Sequence, residues 1–220
     1  MDNLWLGGEA GAGGATIVGE GTAEDISDYS DRLSIGVGGL ARISFTRWLA
    51  ARTGLSFTTM GTRTRLTTTG STGETLLSYL ELPATVEFSY FKVSVIEPYL
   101  SVGTGLGVNL GCRTTQGDDS GDCSRQTRAI DWTVSAGGGV AFNLPWNGRL
   151  TIAGHYRRSL ISIDDLEPIS DYKNRVVSFT IGYQHNLGDL VDRVRGKPRP
   201  DTAGPAEAAE PDQDSAEAPE

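Results

Sequence analysis

The stretch "PYLSVGTGLGVNLG", residues 98–111, alternates between apolar side chains and small or polar ones along its whole length. Leu100 and Val102 belong to the apolar series, whereas Tyr99 and Ser101 begin the other series, which continues mainly with glycines. A period of two places successive side chains on opposite faces of a β-strand. The stretch therefore predicts a strand with one wholly apolar face, typical of a barrel wall between lipid and a polar interior.

The same period recurs in segments of about ten to fourteen residues, with no helical pattern between them. The eight segments are residues 3–15, 33–45, 49–59, 76–88, 97–110, 129–142, 149–161 and 175–186. They are longer than the usual strand of about five or six residues. Long, numerous, alternating strands predict an all-β fold: an eight-stranded antiparallel up-and-down transmembrane β-barrel with a disordered C-terminal tail.

The connections between these segments differ in length in a regular way. Those after the first, third, fifth and seventh are long and polar, such as "GEGTAEDISDYSD" and "GTRTRLTTTGSTG", whereas those after the second, fourth and sixth are short. Outer-membrane barrels have long loops outside and short periplasmic turns. The pattern predicts four extracellular loops and two periplasmic termini.

Aromatic residues from several segments map to the end with the short turns. They are Trp5, Phe45, Trp48, Phe88, Phe142, Trp146 and Tyr183. Such a band is expected where amphipathic rings meet lipid headgroups, so these residues are predicted to form a periplasmic aromatic girdle. The alternative is a soluble, lipocalin-like barrel, in which the apolar series would face inward.

The non-apolar series collects charged residues, which we expect to face the lumen. They are Glu9, Arg42, Arg52, Glu81, Glu87, Asp131, His155 and Arg157. Eight strands leave an interior just wide enough for side chains, so acids and bases there are expected to pair and close it. A proton or ion path through Glu81, Arg52 and Arg157 is the alternative.

The composition of the chain limits where the protein can be located and which partners it can bind. The chain has 220 residues, 29 of them glycine, a 38% hydrophobic content and a net charge of −9, which argues against nucleic-acid binding. No apolar run is long enough for a transmembrane helix, and "MDNLWLGGEAGAGG" shows no signal peptide. We expect a protein of the cell outer membrane whose export signal is absent from this sequence, with outer-membrane lipid, lipopolysaccharide and the barrel-assembly machinery as partners.

Four stretches resemble the PorT-like outer-membrane β-barrel family over residues 3–187. "LSYLELPATVEFSY" is similar to the family's Tyr-Leu-Glu-Ile-Pro strand, with Tyr79, Glu81 and Pro83 in the matching positions, and "EPYLSVGTGLGVNLG" to the strand that follows it. "LTIAGHYRRSLISIDD" and "NRVVSFTIGYQ" resemble its last two strands. The resemblance implies an outer-membrane barrel of mostly unassigned role. The chain departs from it at His155, where the family has Arg, and in running on past Tyr183, since the family commonly ends on an aromatic that the assembly machinery reads.

Three isolated features could indicate other chemistry: a cysteine pair, acidic loops and a histidine near two serines. Cys112 and Cys123 in one long loop predict a disulfide, since no further Cys or His lies nearby to complete a metal pair. Acidic loops such as "GDDSGD" could bind Ca²⁺, but their spacing matches no EF-hand and solvated loops are favoured. No cofactor is expected. A hydrolase using His155 with Ser159 or Ser162 is an alternative without a motif, so no catalytic residue is assigned and the protein is predicted not to be an enzyme.

The chain divides into a barrel domain, residues 1–187, and an acidic Pro/Ala-rich segment, residues 188–220, predicted to be a disordered periplasmic tail. The predicted function is that of a structural or interaction protein that displays extracellular loops to an unknown ligand. A narrow porin for small solutes is the alternative, and an outer-membrane hydrolase is a further one.

Overall fold

The computed structural model describes residues 4–20, 27–66, 72–90, 95–117, 119–125, 127–162 and 171–188. The strands are β1 (Leu4–Glu20), β2 (Ser27–Ser44), β3 (Leu49–Leu66), β4 (Thr72–Ser89), β5 (Ile96–Gln116), β6 (Asp119–Asp122), β7 (Ile130–Leu144), β8 (Gly148–Ser159) and β9 (Asp171–Asn186). Among these residues no helix has the length and hydropathy needed to cross a bilayer.

Eight long strands form one closed antiparallel barrel. Each pairs with its neighbours along the chain, β4 pairs with β5, β5 with β7, and β1 closes the barrel against β9. The four-residue β6 pairs only with the end of β5 and forms a hairpin beyond the wall. The predicted eight-stranded antiparallel barrel is confirmed. We call the end with the β2–β3, β4–β5 and β7–β8 connections the turn rim and the opposite end the loop rim.

The period of two determines which side chains face inward. In β5, Leu100 is 67% exposed whereas its neighbour Tyr99 is 3% exposed, and the same alternation runs through the other barrel strands. The exposed series is apolar, with Ile35, Leu82 and Phe179 as examples. A soluble barrel of the lipocalin type would bury this series, so the outward apolar face fits lipid as the surrounding medium.

Strands extend further toward the loop rim than the sequence pattern predicts. The third segment, predicted as residues 49–59, continues as β3 to Leu66, and the fifth, predicted as residues 97–110, continues as β5 to Gln116. The added residues are rich in threonine, whose β-branched side chain suits an extended strand even where polarity suggests a loop. The polar stretches therefore form partly paired hairpins, and the connections are shorter than predicted.

Glycines in the inward series allow close approach of neighbouring strands at the β1–β9 seam. A Cβ on Gly7 would overlap the carbonyl oxygen of Tyr183, a backbone atom that cannot move alone. On Gly8, which points outward, the nearest atom to an added Cβ would be the carbonyl oxygen of Gly38 at 3.4 Å. One β1 position thus requires glycine and its neighbour does not.

We expect Gly7→Ala to lower the free energy of unfolding by about 1–3 kcal/mol, the usual cost of overpacking, because the seam must shift to admit the methyl group. Gly8→Ala is the matched control and is expected to change it by less than about 0.5 kcal/mol. Urea titration of both variants refolded in lipid, followed by tryptophan fluorescence, measures the difference. Equal stabilities would show that the seam is not tight at Gly7.

Candidate functional site

The inward side chains near the turn rim form a group of charged residues that we call the ion-pair layer. Its members are Glu9, Arg42, Arg52, Glu87, Glu97 and Arg149. They come from β1, β2, β3, β4, β5 and β8, so six of the eight barrel strands contribute. Three guanidinium groups face three carboxylates, and the layer is balanced in charge when all are ionised.

The ion pairs link the layer across the lumen. Arg42 Nε lies 2.7 Å from Glu87 Oε2, and Arg52 Nη2 lies 2.7 Å from Glu9 Oε2. Arg149 bridges two acids, with Nη2 3.3 Å from Glu97 Oε1 and Nη1 3.7 Å from Glu87 Oε2. Charges removed from water are tolerated only when paired in this way, so the layer acts as a unit.

Arg149 is the centre of this layer. It is 1% exposed, and its guanidinium carbon lies 5.3 Å from the centre of the Tyr99 ring, where cation–π attraction applies. Its Nη1 donates to Gln184 Oε1 at 3.4 Å, while Ser89 Oγ donates to Glu97 Oε1 at 2.6 Å. Hydrogen bonds with these polar neighbours therefore replace part of the hydration that Arg149 and Glu97 lose on burial.

The structure brings together Glu9, Arg42, Arg52 and Glu87 from the predicted lumen set and adds two residues that the sequence reasoning missed. Glu97 and Arg149 stand at the second positions of their strands, next to Pro98 and to the β7–β8 turn. The signal was present, because Glu97 shares the register of Tyr99 and Arg149 that of His155. Extending each inward series to the end of its strand would have found both.

A cavity of about 120 Å³ lies in the middle of the barrel, between the ion-pair layer and the loop rim. Arg157 donates to Glu81 Oε2 in its wall, and Thr58 Oγ1 donates to the same oxygen at 3.2 Å. Serine and threonine side chains line much of the rest. At about 30 Å³ per molecule, the space suits a few waters.

His155 lines this cavity, and its Nε2 has no hydrogen-bond partner in the part of the chain that the structure describes. The Ser159 Oγ instead donates to Asp131 Oδ2 at 2.7 Å, and Asn174 Nδ2 donates to the same oxygen at 3.3 Å. Asp131 thus has a hydroxyl and an amide as hydrogen-bond partners. The Ser159 hydroxyl of the hydrolase alternative is therefore bonded to Asp131 rather than to His155 Nε2.

An apolar layer lies between the cavity and the loop rim. Its buried members are Ala15, Ile17, Met60, Leu77, Tyr79, Cys112 and Val176, which come from five strands. Met60, Leu77 and Val176 are each 1% exposed or less. The inward series thus changes from charged at the turn rim to polar at the cavity and apolar here.

Beyond this layer the β5–β6 hairpin is held by a disulfide between Cys112 and Cys123, whose Cα atoms are 5.0 Å apart. The pairing predicted from the sequence is present. The Cys123 amide donates to the Cys112 carbonyl at 3.2 Å, and the Ser124 amide donates to Asp122 Oδ1 at 2.8 Å. Hydrogen bonds from Ser124 hold the pKa of Asp122 below its ordinary value.

Aromatic side chains at the turn rim mostly belong to the outward series. Trp48 and Phe88 stack with ring centres 6.5 Å apart, and Phe45, Trp146 and Tyr183 are also exposed. Phe142 is half-buried in the same series. Trp5 differs from the others: it is half-buried and shares the inward register of Glu9, because it is adjacent to Leu6, which belongs to the outward series. The position of these aromatics at the headgroup level of a bilayer stays a prediction.

No group of three or more His, Cys, Asp or Glu side chains is placed to hold a metal ion within the described ranges. Part of the acidic loops considered for Ca²⁺, residues 21–26, lies outside those ranges, as does the predicted tail from residue 189 onward.

Comparisons with known proteins give one family and several structural likenesses. A family model described as "Outer membrane protein beta-barrel domain" matches residues 3–165. No curated protein matches the chain.

Among solved structures, Ail, the attachment invasion locus protein of Yersinia pestis, is 16% identical to this chain with a TM-score of 0.40, and the match covers 84% of this chain and 99% of Ail. Neisserial surface protein A is 12% identical at 0.45, with 81% and 95% covered. OprG from Pseudomonas aeruginosa is 12% identical at 0.49, with 83% and 94% covered. At these identities the likeness concerns the fold alone.

Proposed function

We propose a role that starts from the family: the chain belongs to the outer membrane β-barrel domain family and is located in the outer membrane. The protein serves as a structural or interaction protein with a closed lumen, and its loop rim faces the outside of the cell. The observation that carries this proposal is the ion-pair layer, in which Arg149 bridges Glu87 and Glu97 across the barrel interior.

The ion-pair layer supports closure through its packing as well as its charge. Glu87 and Arg149 are each 1% exposed, so water has almost no access to them from either side. A conducting pore of few strands would need its charged groups to line an open path, where they would be hydrated. Here each member of the layer contacts an oppositely charged member, and its most buried pair, Glu87 and Arg149, leaves almost no surface for a passing ion.

Two finer parts of the proposal rest on sequence. The four stretches that resemble the PorT-like family support a closer kinship with it, and membership of an outer-membrane barrel family supports insertion by the barrel-assembly machinery. The bond of the Ser159 hydroxyl to Asp131 rather than to His155 Nε2 supports a non-enzymatic role. Lipid and lipopolysaccharide are the surrounding partners that the exposed apolar series fits.

The protein refolded into a planar lipid bilayer is expected to give no stable conductance steps. Glu87→Ala combined with Arg149→Ala opens the ion-pair layer but leaves the apolar layer in place, so stable conductance is expected only when Met60→Ala and Leu77→Ala are added and large side chains leave both cross-sections. The control, Leu100→Ala with Ile152→Ala, shortens two lipid-facing side chains and is expected to stay silent. Stable steps in the unmodified protein would instead establish the narrow porin.

A further inference from the structure

Two arginines interrupt the outward apolar series near the loop rim. Arg158 of β8 and Arg175 of β9 are directly paired in register, and both are exposed. Toward the turn rim their neighbours in the outward series are apolar, Tyr156 in β8 and Val177 in β9. Toward the loop rim they are Leu160, just after β8, and the cationic Lys173. Two cations therefore stand side by side on a face that otherwise fits lipid.

The pairing is unfavourable by itself. Residues directly opposite on antiparallel strands have Cβ atoms about 4.5–5.5 Å apart, and like charges there are destabilising. No ion pair joins either arginine to a carboxylate among the residues that the structure describes. A single arginine on this face could extend its guanidinium group to water and would not need a second arginine beside it. Snorkelling therefore does not explain why two arginines are paired here. An anion held between the two guanidinium groups would turn the repulsion into attraction.

The height of the pair in the barrel identifies the anion. Arg175 lies eight residues from Tyr183, an exposed aromatic at the turn rim. At about 3.3 Å per residue and a tilt of about 35–45°, this separation is about 20 Å along the membrane normal, close to the apolar band of about 25 Å. The arginines thus lie where the acyl chains of the opposite leaflet meet its headgroups. With the loop rim outside, that leaflet holds lipopolysaccharide, whose lipid A bears phosphate directly above its acyl chains.

We infer that Arg158 and Arg175 form a binding site for a phosphate group of lipopolysaccharide. The guanidinium forks bind phosphate oxygens in the bidentate manner that arginine favours. The apolar side chains of Tyr156, Val177 and Val134, which is paired with Arg158, contact the acyl chains below. The inference rests on the proposed function only in placing the loop rim outside.

Purified rough lipopolysaccharide, the same material after phosphatase treatment, and phosphatidylglycerol are the probes, each titrated onto the folded protein in detergent. The test variant is Arg158→Gln with Arg175→Gln. The matched control is Arg113→Gln with Arg125→Gln, which removes two exposed cations near the same rim. Heat-modifiable gel mobility shows that each variant retains a closed barrel.

We expect the test variant to bind phosphorylated lipopolysaccharide at least about tenfold more weakly than the unmodified protein, since charge-assisted hydrogen bonds contribute about 1.5–3 kcal/mol and 1.4 kcal/mol is tenfold. The control is expected to bind as the unmodified protein does. Equal affinity of the test variant would overturn the inference, as would equal binding of the phosphatase-treated material or of phosphatidylglycerol. Conductance tests the closed lumen independently, so failure of one proposal is distinguishable from failure of the other.

Discussion

Replacing Arg149 with methionine is expected to lower the free energy of unfolding by about 3–5 kcal/mol, the cost of leaving a buried ion pair without one partner. Arg149 is 1% exposed and contacts both Glu87 and Glu97. Without it, Glu97 keeps only Arg42 as an ion-pair partner among the described residues, and Glu87 keeps Arg42 and the more distant Arg52. Methionine keeps the length and much of the volume of the side chain, so the effect reports the charge rather than a cavity.

Urea titration in lipid, followed by tryptophan fluorescence, measures this loss. Arg113→Met removes an exposed arginine and is expected to change the free energy of unfolding by less than about 0.5 kcal/mol. Adding Glu97→Gln to Arg149→Met should recover part of the stability, because it removes the carboxylate left unpaired. If Arg149→Met is as stable as the unmodified barrel, the ion-pair layer is not coupled as the distances indicate.

Reduction of the Cys112–Cys123 disulfide is expected to lower the free energy of unfolding by about 3 kcal/mol in the chain-entropy model. The bond closes a loop of sequence separation 11 and attaches the β5–β6 hairpin to the wall. Cys112 is also 6% exposed and packs in the apolar layer with Met60 and Leu77. Replacing it would therefore mix the loss of the bond with a change in packing.

For that reason the comparison is made on one chain, oxidised and then reduced by a thiol, with unfolding followed in urea. The Cys112→Ala, Cys123→Ala variant controls for effects of the reductant and should respond equally with and without it. Oxidised and reduced protein that unfold at the same urea concentration would show that hydrogen bonds across the hairpin already restrict the unfolded chain.

The barrel itself could be predicted from the sequence because alternate residues face the lipid and the lumen, and each environment selects a different type of side chain. Leu100 and Tyr99 are adjacent in the chain, and the alternation alone places one in lipid and the other inside. The ends of the strands were predicted less well, since the threonines of β3 and the polar end of β5 can form either strands or loops. Pairing with a neighbour decides between them, and a single sequence does not contain that information.

The partners within the lumen could be predicted only as a set. Glu81 pairs with Arg157 and Glu87 with Arg42, but both acids lie in the same register of β4, and the sequence does not distinguish which base reaches which acid. Barrel tilt and shear determine the heights at which side chains from distant strands meet. For Trp5 the sequence did contain the answer. It lies four residues from Glu9, so the alternation places both side chains inside, although the position of Trp5 near the rim predicts a place in the girdle.

The two layers that bound the central cavity differ in chemistry, and this has a consequence for selectivity. A hydrated ion entering from the turn rim would have to displace one of the paired groups around Arg149, and it would then meet the apolar side chains of Met60, Leu77 and Val176. An apolar solute entering from the loop rim would meet the same obstacles in the reverse order. In the closed lumen that we propose, two filters in series with opposite preferences would reject both kinds of solute, so the barrier would not depend on a narrow bore alone.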